Sequence, residues 1–276
     1  MVGAGVFFTG VQPLSGPDPI RWLQGWQYEE GPCGDVIEQG GICYSERGFS
    51  PGKPTFQTGE AITMESQIQC STYEDIEKLK EYAVQEFERQ MFSKISAEIW
   101  SGTQTRALIA AGGAKYGANK WLARDNHPVN DVVILNGGTA TTLVDGLAQL
   151  ESALGACTLG GNGLIHVPRR VLTHMGVEGL LLDPTSGRRT TWNGYGVVAE
   201  DGYAGTGPAA VPSAPSTPSS GNVWIYATGP LMIKAAADLS GIQHVDVENN
   251  DLFAIVPGAY TYGWGCCHYA IQIDLV

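Results

Sequence analysis

Residues 71–102, STYEDIEKLKEYAVQEFERQMFSKISAEIWSG, decide the architecture of this chain. Ile76, Leu79, Ala83, Phe87, Met91, Ile95 and Ile99 recur every three or four positions, a spacing that an α-helix gathers into one apolar stripe. Ser71 followed by Glu74 fits a capping box, in which hydroxyl and carboxylate each satisfy an orphan backbone N–H. Glu74, Asp75 and Glu77 add negative charge where the helix dipole favours it, and Gly102 supplies a terminator. The pattern predicts a helix over 72–101, roughly 45 Å long at about 1.5 Å per residue. Such a helix is a spine against which the rest of the chain can be laid.

Upstream, Pro13, Pro17, Pro19, Pro32, Pro51 and Pro54 punctuate an irregular opening. GFSPGKPTFQTGE (48–60) reads as an exposed turn between two extended runs, DVIEQGGICYSE and AITMESQIQC. In the second run Ile62, Met64 and Ser66 share one face, and Ile68 and Cys70 continue it. A two-stranded excursion of this kind has little core of its own, so it should lie against another surface.

Downstream, VNDVVILNGGTATTLVDGLAQLESALG predicts a short strand, a turn at Gly137-Gly138 and a helix from Thr142 to Leu154. GLIHVP and RRVLTHMG read as a strand and a short helix, followed by extended stretches at 178–183 and 189–199. Residues 202–221, GYAGTGPAAVPSAPSTPSSG, have no charge and no apolar period, which predicts a long exposed loop. Deleting 207–219 should therefore be tolerated. The remainder reads as strands, and no internal repeat is visible.

Composition narrows the function. The 276 residues suffice for one large domain or two modest ones. Sixteen Lys+Arg against 28 Asp+Glu give a net charge of −12, which disfavours tight binding to nucleic acid and to anionic membranes. Charged residues are 16% of the chain, below the about 25% of ordinary soluble domains, and seven Trp and eleven Tyr are present. Together these point to extensive self-association, since aromatic side chains are enriched in protein interfaces. No apolar run approaches a membrane span, and the start of the chain lacks the basic region of a signal peptide. Cys33, Cys43, Cys70, Cys157, Cys266 and Cys267 form no CxxC pair, and are expected to be small buried hydrophobes of a chain folded in a reducing cytoplasm.

No convergent catalytic set emerges. GGAKYGANK (112–120) lacks the lysine directly after the last glycine that a phosphate-binding loop requires, because Ala118 follows Gly117. Neither a GxSxG elbow nor an HExxH helix is present. His244, Asp246 and Glu248 alternate in HVDVEN and would share a strand face, which suits a metal but equally suits any solvated strand. His166, flanked by Leu164, Ile165 and Val167, is expected to be structural and satisfied by a backbone partner. Arg169 and Arg170 open a helix, an unfavourable place for cations, and are expected to meet carboxylates across an interface.

In AEIWSG (97–102), LAQLESALG (147–155), GLIHVPR (163–169), VWIYATGP (223–230) and the strand run from Asp246, taken in that order, the chain resembles the major capsid protein of tailed bacteriophages, particularly forms from actinobacterial phages. The resemblance extends from about residue 60 onward. It implies an α+β fold with an N-terminal arm (1–29), an extended β-hairpin loop (30–70), a peripheral domain carrying the spine helix (71–139), an axial domain (140–243) that includes the 202–221 loop, and C-terminal strands (244–276) returning to the peripheral domain. It further implies hexamers and pentamers closing into an icosahedral shell around double-stranded DNA, without sequence-specific binding, membrane or cofactor. Assembly in the host cytoplasm, with portal, scaffold and decoration proteins as possible partners, belongs to the same expectation; no fused scaffold is expected. Acidity would keep packaged DNA from adhering to the inner wall. Lys53, Trp100, Arg169 and Arg170 become candidates for subunit contacts. Some members of the family cross-link a loop lysine to a neighbour's asparagine, for which Lys53 with Asn249 or Asn250 are the candidates. The alternatives are an encapsulin-type bacterial compartment shell and, in a different class, a cytosolic metal-dependent hydrolase using His244, Asp246 and Glu248.

Overall fold

A computed structural model describes residues 12–13, 26–29, 56–70, 76–125, 132–158, 163–182, 189–211, 213–237, 242–246, 251–265 and 267–275. In chain order its strands are β1 (Gln12–Pro13), β2 (Trp26–Glu29), β3 (Phe56–Gly59), β4 (Ile62–Cys70), β5 (Arg124–Asp125), β6 (Val133–Ile134), β7 (Thr141–Thr142), β8 (Leu164–His166), β9 (Leu181–Leu182), β10 (Thr190–Thr191), β11 (Gly196–Val198), β12 (Ala209–Ala210), β13 (Asn222–Thr228), β14 (Leu231–Ala237), β15 (Ile242–Asp246), β16 (Asp251–Trp264) and β17 (His268–Asp274). The helices are α1 (Ile76–Ser101), α2 (Thr103–Ala110), α3 (Leu143–Thr158) and α4 (Arg169–Val177).

The 26 residues of α1 span about 39 Å. Leu79, Ala83, Phe87, Ile95 and Ile99 are buried along one stripe and Met91 is half-buried, as the periodicity predicts. The Ser71–Glu74 capping box lies outside the described residues. The helix stops at Gly102, whose φ of 59° is left-handed and whose N–H closes onto the Glu98 carbonyl at 2.8 Å. Only glycine suits this position on both counts, because a Cβ there would come within 2.4 Å of the Trp121 ring.

α1 lies on the first sheet, whose long member is β16. One flank of β16 pairs antiparallel with β4, from Leu252↔Cys70 to Tyr260↔Ile62. The other flank pairs with β15 and then β14, and β1 adds to β14 in parallel. β4 alternates cleanly: Ile62, Met64, Ser66 and Ile68 turn inward while Thr63, Glu65, Gln67 and Gln69 are exposed. Leu79, Ala83 and Phe87 of α1 pack on Ala254 and Val256 of β16. Burying a side chain such as Leu79 or Phe87 contributes about 1.5–3 kcal/mol, enough to hold a long helix that would be marginal alone.

The second sheet runs β6-β17-β13-β8-β11-β10-β9, with β7 also on β17. β13 is buried nearly throughout and pairs with β17 from Asn222↔Asp274 to Thr228↔His268. Leu143, Leu147, Leu150 and Leu154 of α3, with Val171 and Met175 of α4, close over Ile165, Val223, Ile225, Ile271 and Ile273. Gly146 permits the approach, since a Cβ there would stand 2.6 Å from Ile273. α3 continues to Thr158 rather than ending at Leu154. The C-terminal strands part company: β16 belongs to the sheet under α1, β17 to the second sheet. β2 and β3 form a separate antiparallel pair, Trp26↔Gly59 to Glu29↔Phe56.

Two expectations are overturned. Cys157, in the last turn of α3, is joined by a disulfide to Cys267, between β16 and β17, with Cα atoms 5.9 Å apart. Neither spacing nor burial in the sequence signals it, because the two cysteines are 110 positions apart and meet only when α3 folds over the sheet. The 202–221 segment is likewise not a free loop throughout: its first half is fastened to the core, while residues 213–220 are exposed or half-buried as expected. Tyr203, Gly205 and Gly207 are buried, β12 pairs with β5, and Gly207 and Ser216 exchange backbone hydrogen bonds of 2.8 and 3.0 Å. A chain poor in apolar period can still be ordered when small residues let it lie flush against aromatic rings. A Cβ at Gly207 would stand 2.3 Å from the Trp224 indole.

Candidate assembly surfaces

The end of α1 is where the two sheets and the Gly/Pro-rich segment meet. Trp100 is fully buried there, so it is not available for a subunit contact. Its indole N–H donates to Thr206 (3.1 Å to Oγ1, 3.3 Å to the carbonyl), and its ring sits 4.9 Å from Tyr203 and edge-on to Tyr226 at 4.9 Å. The Tyr226 phenol donates to the Thr206 carbonyl at 3.0 Å. Two residues back, the Glu98 carboxylate accepts from the backbone N–H groups of Gln104 (2.7 Å) and Thr105 (2.9 Å), capping α2, whose own N-cap Gly102 has no side chain to do so. Burial raises the Glu98 carboxyl pKa, opposed by those backbone bonds and by Arg106. Sequence periodicity misses both residues, since they lie off the predicted stripe and are buried by segments distant in the chain.

His166 is fully buried in β8. Its partners are side chains, not the backbone: Nδ1 is 3.0 Å from the Tyr203 hydroxyl and Nε2 is 2.9 Å from Thr228 Oγ1. Desolvation pushes its pKa down to about 3, so the ring is neutral and a structural brace.

Pro168 enters α4 in extended conformation and leaves the two arginines at the helix start. Their partners lie within the same chain. Arg169 pairs with Asp201 at 2.7 Å, and Arg170 donates to the Asn222 carbonyl at 3.2 Å. Both members of the Arg169–Asp201 pair are more than half exposed, so it contributes at most about 1 kcal/mol. A groove between β4 and α1 is bordered by Met64, Ser66, Phe87, Met91 and Lys94.

The glycine-rich 112–120 stretch is a fastening. It forms a 3-10 turn from Ala114 to Ala118, after which Asn119 brackets Glu60, accepting its N–H at 2.7 Å and donating to its carbonyl at 3.1 Å. Lys115 meets the Glu60 carboxylate at 3.3 Å, and buried Lys120 donates to the Trp264 carbonyl at 3.1 Å. The turn thus pins the entry to β4 onto the end of β16. Lys53, Glu248, Asn249 and Asn250 lie outside the described residues. His244 and Asp246 fall in β15 opposite Phe253 and Asp251. Among the described residues no group of His, Cys, Asp and Glu is gathered that could hold a metal ion.

With two sheets and a long helix across one of them, the molecule shares its fold with a capsid protein. It superposes on the capsid of an empty GTA particle with a TM-score of 0.53 at 12% identity, covering 98% of this chain and 90% of that one. Gordonia phage Cozz aligns at 0.49 and 10% identity over 99% of this chain and 88% of its own. An encapsulin complex from Synechococcus elongatus aligns at 0.47 and 10% identity, over 82% and 77%. No family model and no curated protein matches the sequence.

Proposed function

We propose that the chain is a structural subunit that self-assembles into the icosahedral shell of a tailed bacteriophage, as hexamers and pentamers around double-stranded DNA. The observation that carries this reading is the capsid fold aligned over 98% of the chain, from the first strands to the last. The chemistry agrees: the described residues are spent on packing and bracing, buried His166 is neutral, and charge is sparse. The reading assigns the chain no reaction, and places it in the virion after assembly in the host cytoplasm. Residues 1–29 then serve as the arm, 30–70 as the extended loop, 71–139 as the peripheral domain and 140–243 as the axial domain, save that β6 joins the second sheet and β14 the sheet under α1. Within 244–276, β16 belongs to the peripheral part and β17 completes the axial sheet.

Electron microscopy of the protein expressed alone tests this directly. Closed particles or capsomer rings are expected; a chain that stays a single subunit at every concentration and salt overturns the reading. Particles loaded with a co-purifying enzyme instead would favour the encapsulin alternative. For a Lys53 bond to Asn249 or Asn250, boiling in denaturant and gel electrophoresis decides: a ladder above the 29.4 kDa chain supports it and a single band ends it.

A further inference from the structure

The disulfide between Cys157 and Cys267 is at odds with assembly in a cytoplasm, where small thiols and thioredoxins keep cysteines reduced. The packing around the pair reconciles the two. Cys267 is buried, and Cys157 is half-buried against the same apolar cluster, which Leu147, Leu150, Leu154 and Ile271 help to close. As free thiols the two side chains are small hydrophobes that suit the same places. Noncovalent contacts alone therefore bring the sulfurs together, and the reduced chain reaches the same fold.

Position gives the bond its effect. Cys157 lies in the last turn of α3, and Cys267 in the short link between β16, of the sheet under α1, and β17, of the second sheet. The Cys267 carbonyl accepts from the Gly229 N–H at 3.2 Å, and Gly229 lies in the turn from β13 to β14, where the chain also passes between the two sheets. The Cα atoms are 5.9 Å apart, within the ordinary range for the bond. Oxidation thus fastens α3 to the crossing between the two layers, across a separation of 110 residues.

We propose that the Cys157–Cys267 bond is a lock set after assembly. The chain folds and assembles as the dithiol, and the bond forms once particles have left the reducing cytoplasm. This goes beyond the shell reading and rests on it. Dissolved dioxygen is the oxidant: the two thiols give up two electrons and two protons, the S–S bond forms, and dioxygen becomes hydrogen peroxide. The tie then resists unfolding in particles that no longer have a cell to replace a lost subunit.

The test traps thiols at two stages. Cells producing the full-length chain are quenched in acid, free thiols are blocked with iodoacetamide, and disulfides are then reduced and labelled with N-ethylmaleimide. Particles purified in air are treated in the same way. The Cys157 peptide should carry the first label in cells that already contain particles by electron microscopy, and the second label after purification. Cys157→Ser should assemble in wild-type yield, and its air-exposed particles should melt below wild type by a shift that vanishes when both are measured in reductant. The second label in cells, the first label in purified particles, or equal melting of variant and wild type in air overturns the lock while leaving an assembling wild type as a shell protein. A wild type that never assembles overturns both.

Discussion

At the scale of single residues, the decisive positions are those where conformation and space are restricted together. Gly102 was legible in the sequence as a terminator; what it must avoid, the Trp121 ring, was not. Gly102→Ala carries the left-handed cost of about 1–2 kcal/mol and a clash besides. Gly112→Ala, at φ +92° with open space around it, carries no such clash and should cost less. Urea unfolding of both variants checks the order. His166 gives a pH dependence whose sign follows from its depressed pKa. In the folded state the ring stays neutral to about pH 3, whereas the unfolded ring takes a proton below about 6.5. Its contribution is therefore complete above about pH 6.5 and is lost on acidification at up to ~1.4 kcal/mol per pH unit. Unfolding curves between pH 7 and 4 should show this slope, and His166→Gln should lack it. Glu98 acts with the opposite sign: its raised pKa gives stability at acid pH that is lost as pH rises through that value. Trp100 and Glu98 escaped a reading by period because burial on a second flank depends on what lands there, here the 203–207 segment and α2.

At the scale of elements, whatever repeats was readable. α1 and the alternation of β4 follow from spacing, because one period places every apolar side chain on one face. Ala83→Pro removes a backbone bond at a fully buried point of α1 and should cost about 3 kcal/mol or more. Its loss of helical dichroism and of the wild-type melting transition would check the spine assignment. What lacks a period was misread. Excision of 207–219, expected from composition to be harmless, now should expose Trp224 and strip β12 from β5. The measured outcome should be a markedly lower melting temperature or insoluble protein, and a wild-type melt would contradict the packing described. Two-residue strands such as β6 and β9 were equally out of reach, since two positions cannot display an alternation.

For the whole molecule, the fold class was readable from the order of five sequence pieces, but the covalent tie between Cys157 and Cys267 was not. Cysteines announce pairing through local spacing, and this pair becomes adjacent only after a 110-residue excursion. In the chain-entropy picture a bond closing a loop of about 100 residues contributes up to about 4.7 kcal/mol, with observed values commonly 2–5. Cys157→Ser should thus lower the melting temperature measured without reductant. Adding reductant to the unaltered protein should reproduce that drop, and neither effect should appear in calorimetry if the thiols are unpaired.

β16 and β17, residues 251–274, lie inside the two sheets with partners on both flanks. A ribosome must therefore release the chain through β16 before the first layer can close and through β17 before the second, and partners such as β4 wait through some 180 further residues for their neighbour. Synthesis order thereby acts as a clock: a nascent chain that has not reached β16 cannot complete either sheet. Messages truncated before codon 251 should yield material for proteolysis rather than a folded product.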